Sequence, residues 1–112
     1  MTSSSTQRIR ELNDQFRRFP FPPHGDLFIT PGVNILGLRD YLAVLLKVRN
    51  FSEFSDANDP HREHDFGSFQ HDGVVYFWKI DYYDRQKERH SPDPSDADVT
   101  FRVLTVMRAD EY

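Results

Sequence analysis

Residues 59 to 69 read DPHREHDFGSF, and within seven positions they bring together Asp59, His61, Glu63, His64 and Asp65. Imidazole nitrogens and carboxylate oxygens of this kind suit zinc, manganese or iron. His61, His64 and Asp65 are therefore the candidate ligands of a divalent metal. The spacing argues against a structural zinc centre, which would bring cysteines or a His-x3-His helical pair, and neither occurs. No resident cofactor is the first expectation, and a divalent metal the alternative. A second set follows in Lys79, Asp81 and Asp84, where a lysine between carboxylates could hold a phosphate or polarise a substrate. Together with His64 and Asp65 it makes the candidate catalytic group of a metal-assisted hydrolase. A metal-dependent nuclease would want a carboxylate two residues before the lysine, and Phe77 stands there.

The same residues also have a plainer use. Asp56, Asn58 and Asp59 can shape turns by bonding nearby backbone, with Pro60 fixing one of them. His64 and Asp65 would then satisfy buried backbone groups where the loop enters a strand. Lys79 and Asp81 would form an ion pair on a solvated sheet face. Tyr76, Trp78, Tyr82 and Tyr83 resemble a base-stacking platform, but such a platform needs positive charge around it and the neighbouring loop is acidic. Core packing explains the first three better, and Tyr83 is left for the surface.

These residues must be positioned by a few elements. Ser4 and Gln7 read as a capping box, and Ile9, Leu12, Phe16 and Phe19 make one helical stripe, which predicts a helix from about Ser5 to Arg18. Pro20, Pro22 and Pro23 end it, with Phe19 and Phe21 expected to pack under the turn. Residues 26–30 read as a strand stopped by Pro31 and Gly32. Leu38, Tyr41, Leu42, Leu45 and Leu46 predict a second helix between Gly37 and Asn50, with that stripe against the sheet.

From Phe66 to Tyr83 two β-prone runs flank Asp72 and Gly73, the signature of a type I′ hairpin turn. That register pairs His71 with Val74, Phe69 with Tyr76, Gly67 with Trp78 and Phe66 with Lys79, so Lys79 is expected near His64 and Asp65. Residues 84–98 read as an exposed loop and 99–107 as a last strand, with a helix there as the alternative. The expected fold is a single α+β domain over residues 1–112. It has two helices packed on one face of a small, mostly antiparallel sheet of about four strands, with a central β-hairpin.

The 112-residue length suits one core, and ten Phe, five Tyr and one Trp supply it. No cysteine is present, which removes disulfides and thiolate chemistry and fits a reducing compartment. No stretch approaches the length of an apolar membrane span, and a soluble, cytoplasmic protein is expected. The net charge of −4 is concentrated, since residues 51–72 hold six acids against Arg62 alone. That balance argues against direct nucleic-acid binding.

Two stretches, NDPHREHDFGSF (58–69) and FWKIDYYD (77–84), carry a resemblance, supported by SPDP, VLTVM and the earlier RIRELNDQFRR. Together they resemble a small bacterial family known as domain of unknown function 3768. The resemblance implies no activity. It implies an accessory role, because such proteins are met on plasmids and in phage-like regions.

The resulting expectation is a non-enzymatic, acidic protein-binding module of mobile DNA, in one version an inhibitor of a host defence nuclease of CRISPR or restriction type. Glu53, Asp56, Asp59, Glu63 and Tyr83 are the expected partner contacts, the acids meeting a basic surface. A homodimer is possible through the edges of so small a sheet.

Overall fold

The computed structural model describes residues 3–112. Its first helix, α1, spans Ser4–Arg18, and Ser3 caps it by accepting a hydrogen bond from the Thr6 amide. The cap thus lies one residue earlier than the Ser4 and Gln7 pattern suggests. Ile9 and Phe16 face the core, while Phe19 is 69% exposed and Phe21 45% exposed. Those two rings meet each other edge to face, 4.9 Å between centroids, instead of packing under the proline turn.

Strand β1 (Gly25–Ile29) leads into a four-residue helix, α2 (Pro31–Asn34), which the sequence reading treats only as a strand stop. Proline at a first helical position costs no hydrogen bond, so Pro31 both ends the strand and begins the turn. Helix α3 covers Leu38–Arg49. The hairpin strands β2 (Phe66–His71) and β3 (Val74–Tyr83) join through Asp72 and Gly73, both at positive φ as a type I′ turn requires. Strand β4 runs Phe101–Arg108, so the expected strand at 99–107 forms but starts two residues later, after a 3-10 turn at Ala97–Val99.

The sheet order is β1-β4-β3-β2. β2 pairs with β3 and β3 with β4 in antiparallel fashion, whereas β1 lies parallel to β4. The fold is α+β with a four-stranded mixed sheet, antiparallel in two of its three pairings, and with three helices where two were expected. The hairpin is not central, for β2 forms an outer edge. The expected register holds pair by pair, from His71 opposite Val74 to Phe66 opposite Lys79. A Cβ on Gly67 would collide with the Trp78 indole, so only glycine leaves room for that ring.

Alternation sends Tyr76, Trp78, Ile80 and Tyr82 of β3 and Leu104 and Val106 of β4 to one face. There they meet Ile9, Phe16, Val33, Val44 and Val48 from the helices in one cluster. Among the described residues no α-helix packs on the other face. That face carries Phe66, Phe77 and Tyr112 in mutual edge contact, with Lys87 lying 4.3 Å over the ring of Phe101.

In α3 the apolar residues occupy an arc of roughly 200° around the axis, by the 100° step of a helix, and a flat sheet cannot cover that much. Val44 and Val48 are buried, and Tyr41 and Leu45 are partly so. The remainder of the arc, Leu38, Leu42 and Leu46, faces outward, the reverse of what the apolar stripe alone suggests.

Candidate functional site

Histidine 64 holds the 59–65 loop to α1. Its Nδ1 lies 2.9 Å from Asp14 Oδ1, and its Nε2 faces Asp59 Oδ2 at 3.5 Å. The ring stacks flat on Phe54, with centroids 3.6 Å apart. Its backbone takes φ 55°, and Asp59 Oδ1 accepts the His64 amide hydrogen at 3.2 Å. Both ring nitrogens therefore face carboxylates on opposite sides. Neither is turned toward His61, which is exposed, or toward a shared point with Asp65.

The loop's other polar residues are also taken up internally. Asn58 accepts the Ser55 amide and donates to the Glu53 carbonyl, so it shapes the turn as expected. Asp56 instead pairs with Arg62 at 2.8 Å. Asp59 is 6% exposed and thus turned away from any partner, contrary to its expected place among the contact acids. Glu63 accepts the Tyr82 hydroxyl hydrogen at 2.8 Å. Of the expected contacts, Glu53, Asp56 and Tyr83 remain at the surface.

Behind the loop runs a buried polar chain that the sequence reading missed. Asn13, fully buried in α1, donates to the Tyr82 hydroxyl and the Glu63 carbonyl, at 2.7 and 2.9 Å. Its Oδ1 accepts from Arg102 Nε at 2.7 Å. All of its hydrogen-bonding capacity except one lone pair is used, which makes this polar crossing tolerable in a core. Burial drives the Tyr82 phenol far above its ordinary pKa, so it stays a neutral donor to Glu63. Next to it Arg17 donates from Nη1 to the carbonyls of Val48 and Phe51, at 2.9 and 2.8 Å, and so closes the C-terminal end of α3. A single asparagine or arginine in an amphipathic stripe carries no mark of such a role in the sequence.

Asp65 is desolvated and lies near Glu63 and Asp59, and these effects raise its pKa. Lys79 and Asp81 form an ion pair of 3.0 Å on the helix-free face. The hydrogen bond to Asp81 raises the Lys79 pKa, so the lysine is held as a cation by its neighbour. Asp84 spends Oδ1 on the Glu88 amide. Lys79 and His64, expected to converge, point apart, because His64 lies before β2 with its backbone at φ 55° and its ring turned to Asp14 of α1, while Lys79 faces the side of the sheet away from the helices. The five candidate catalytic residues are therefore not assembled around one point.

Among the described residues one His/Asp group has ligand atoms close enough to share a metal ion, and it is Asp40, His71 and Asp72. His71 Nε2 lies 3.0 Å from Asp40 Oδ1. The opposite nitrogen, Nδ1, sits 3.2 Å from Lys47 Nζ, which has only protons to offer. That contact places the imidazole hydrogen on Nε2, the atom a metal between the two aspartates would need bare. Lysine thus fits the tautomer of a hydrogen-bonded histidine and not that of a ligand.

What stands out at the surface is the outer side of α2 and α3. Leu38 is 73% exposed, Leu42 49% and Leu46 54%, a run at helical spacing along α3, and Ile35, in the turn between α2 and α3, is 83% exposed. By helical phase Arg39 and Arg49, both exposed, fall on or beside this stripe.

Residues 29–111 match the family described as protein of unknown function, DUF3768. The chain belongs to this family. The DUF3768 match takes in the 59–65 loop, the hairpin and β4, but starts beyond α1, so the RIRELNDQFRR stretch lies outside it. Asn13, Asp14 and Arg17, which anchor the loop and α3, thus come from outside the matched region. No curated protein and no solved structure matches the chain. No helix among the described residues is long and apolar enough to cross a membrane.

Proposed function

We propose that the protein is a non-enzymatic binding module that docks a protein partner on the outer face of α2 and α3. The observation that carries this reading is the exposure of Leu38, Leu42 and Leu46 on one face of α3, with Ile35 exposed in the turn before it. Large apolar side chains left in water are costly, at roughly 25 cal/mol per Å² of apolar surface, and a partner would remove that cost. Arg39 and Arg49 at the rim suit a partner that presents an apolar face edged with acids, such as an amphipathic helix laid along α3. An inhibitor of a host defence nuclease is one form of such a module. For a contact to a basic surface it retains Glu53, Asp56 and Asp72 facing outward.

The test replaces Leu38, Leu42 and Leu46 together by Ser. Being exposed, they should leave the melting temperature within a few degrees of the parent, and the variant should lose the partner that the parent retains from its native host. Cross-linking from position 42 then reports the partner's contact side. Light scattering separates a self-association from a foreign partner. Retention of the same partner by a folded triple variant would overturn the reading.

A further inference from the structure

A cavity of about 380 Å³ lies between α1 and the start of β4. Leu12, Phe16 and Phe19 form its apolar wall, and Arg8 and Arg102 supply its cationic side, with His24 also at the lining. None of the 18 Asp and Glu residues of the chain lines it, although the molecule is acidic overall.

Arg102 is the unusual member. Only 3% exposed, it forms hydrogen bonds to neutral acceptors, Asn13 Oδ1 at 2.7 Å and the Pro94 carbonyl at 2.6 Å. Among the described residues no carboxylate lies within ion-pair distance of it. A buried guanidinium with no carboxylate in contact is costly to maintain, and burial lowers its pKa, with Tyr82 and Glu63 opposing that effect from further away. Arg8, which has Glu11 at 3.6 Å on its solvent side, adds a smaller effect in the same direction as burial, so two like charges face the cavity. The arrangement gains from an anion between them.

We propose that this cavity is a binding site for a small organic anion, a carboxylate on an apolar body, with the acid toward Arg102 and Arg8 and the body against Leu12, Phe16 and Phe19. The volume falls in the range of small-molecule sites, about 300–1,000 Å³, and the mix of a few charges with an apolar wall is typical of them. The acid provides the missing counter-charge, and the apolar wall rejects small hydrated inorganic ions. This site lies apart from the α3 stripe and does not depend on the docking reading.

The experiment titrates isotope-labelled protein with octanoate at low salt and follows its amide resonances, with 1-octanol as the uncharged control. Expected are saturable shifts at Leu12, Phe16, Thr100 and Arg102 with a Kd below about 1 mM, and no such response to octanol. Arg8→Gln, at an exposed position, should weaken octanoate three- to tenfold without affecting the fold, and Arg102→Met should weaken it more than tenfold where it folds. The proposal fails if octanoate produces no saturable shift, if octanol binds as well, or if the shifts map to Leu38–Leu46 instead. Unchanged affinity in Arg8→Gln would overturn it as well.

Discussion

His64 lies flat on Phe54, their ring planes 4° apart, while its two nitrogens face Asp14 and Asp59. One side chain thereby joins α1, the segment before the loop, and the loop itself. The histidine acts as a clasp, and the loop's shape depends on it.

His64→Ala should therefore cost about 1–3 kcal/mol of stability, through the lost stack and two carboxylates left without their partner. Urea unfolding at neutral pH measures it. A variant as stable as the parent would show that the clasp is idle.

Arg17 makes a stronger case. Substituting Met keeps the packing against Trp78, 4.8 Å below the guanidinium, but strips the hydrogen bonds from the last carbonyls of α3. Breaking a buried charged network on one side costs about 3–5 kcal/mol. Hydrogen exchange should accelerate first at residues 46–51, and a uniform change across the protein would argue against this local role.

Asp65 gives a prediction of the opposite sign. Its folded pKa is raised, so between the unfolded and folded values the native state holds more protons, and stability falls as pH rises through that window. Above it the ionised, desolvated carboxylate remains a cost. Asp65→Asn should raise the melting temperature at pH 7 by about 2–5 °C and leave it unchanged well below pH 4. Melting curves at pH 3.5 and 7 suffice, and a lower melting temperature at pH 7 would show that the charge is used.

For Asp40, His71 and Asp72, zinc at tenfold excess should leave the melting temperature unchanged, as should a chelator. Lys47→Met removes the donor from His71 Nδ1 and should let zinc raise the melting temperature. Zinc stabilisation of the parent protein would contradict the tautomer argument.

Much of the architecture was readable in advance where local chemistry decides it. Asp72 and Gly73 impose a turn that sets every pair from His71 with Val74 to Phe66 with Lys79, and Gly67 marks the room Trp78 needs. Less readable was α3, whose apolar arc is too wide for periodicity to say which half a sheet will cover. The parallel placement of β1 was hidden for a related reason, since nothing near residue 25 encodes the direction of a strand at 101–108. Among candidate site residues, types were visible and pairings were not. His64 and Lys79 seemed close along the register, yet His64 lies just before the strand with a positive φ that turns its ring to α1. Asn13, the most connected polar side chain, carries no signature in a stretch that reads as surface helix.

The pairing of β1 with β4 also sets an order of events during synthesis. Asp26 is made early, yet its strand neighbour Val103 emerges only after the hairpin and the long loop have left the ribosome. The hairpin can form by itself in microseconds, but β1 has no edge to join until β4 has been added beside β3. Such non-local closure slows folding. The nascent chain must therefore carry Leu27 and Ile29 without their β4 neighbours until residues 101–108 have emerged, and chaperone dependence would be concentrated in that interval.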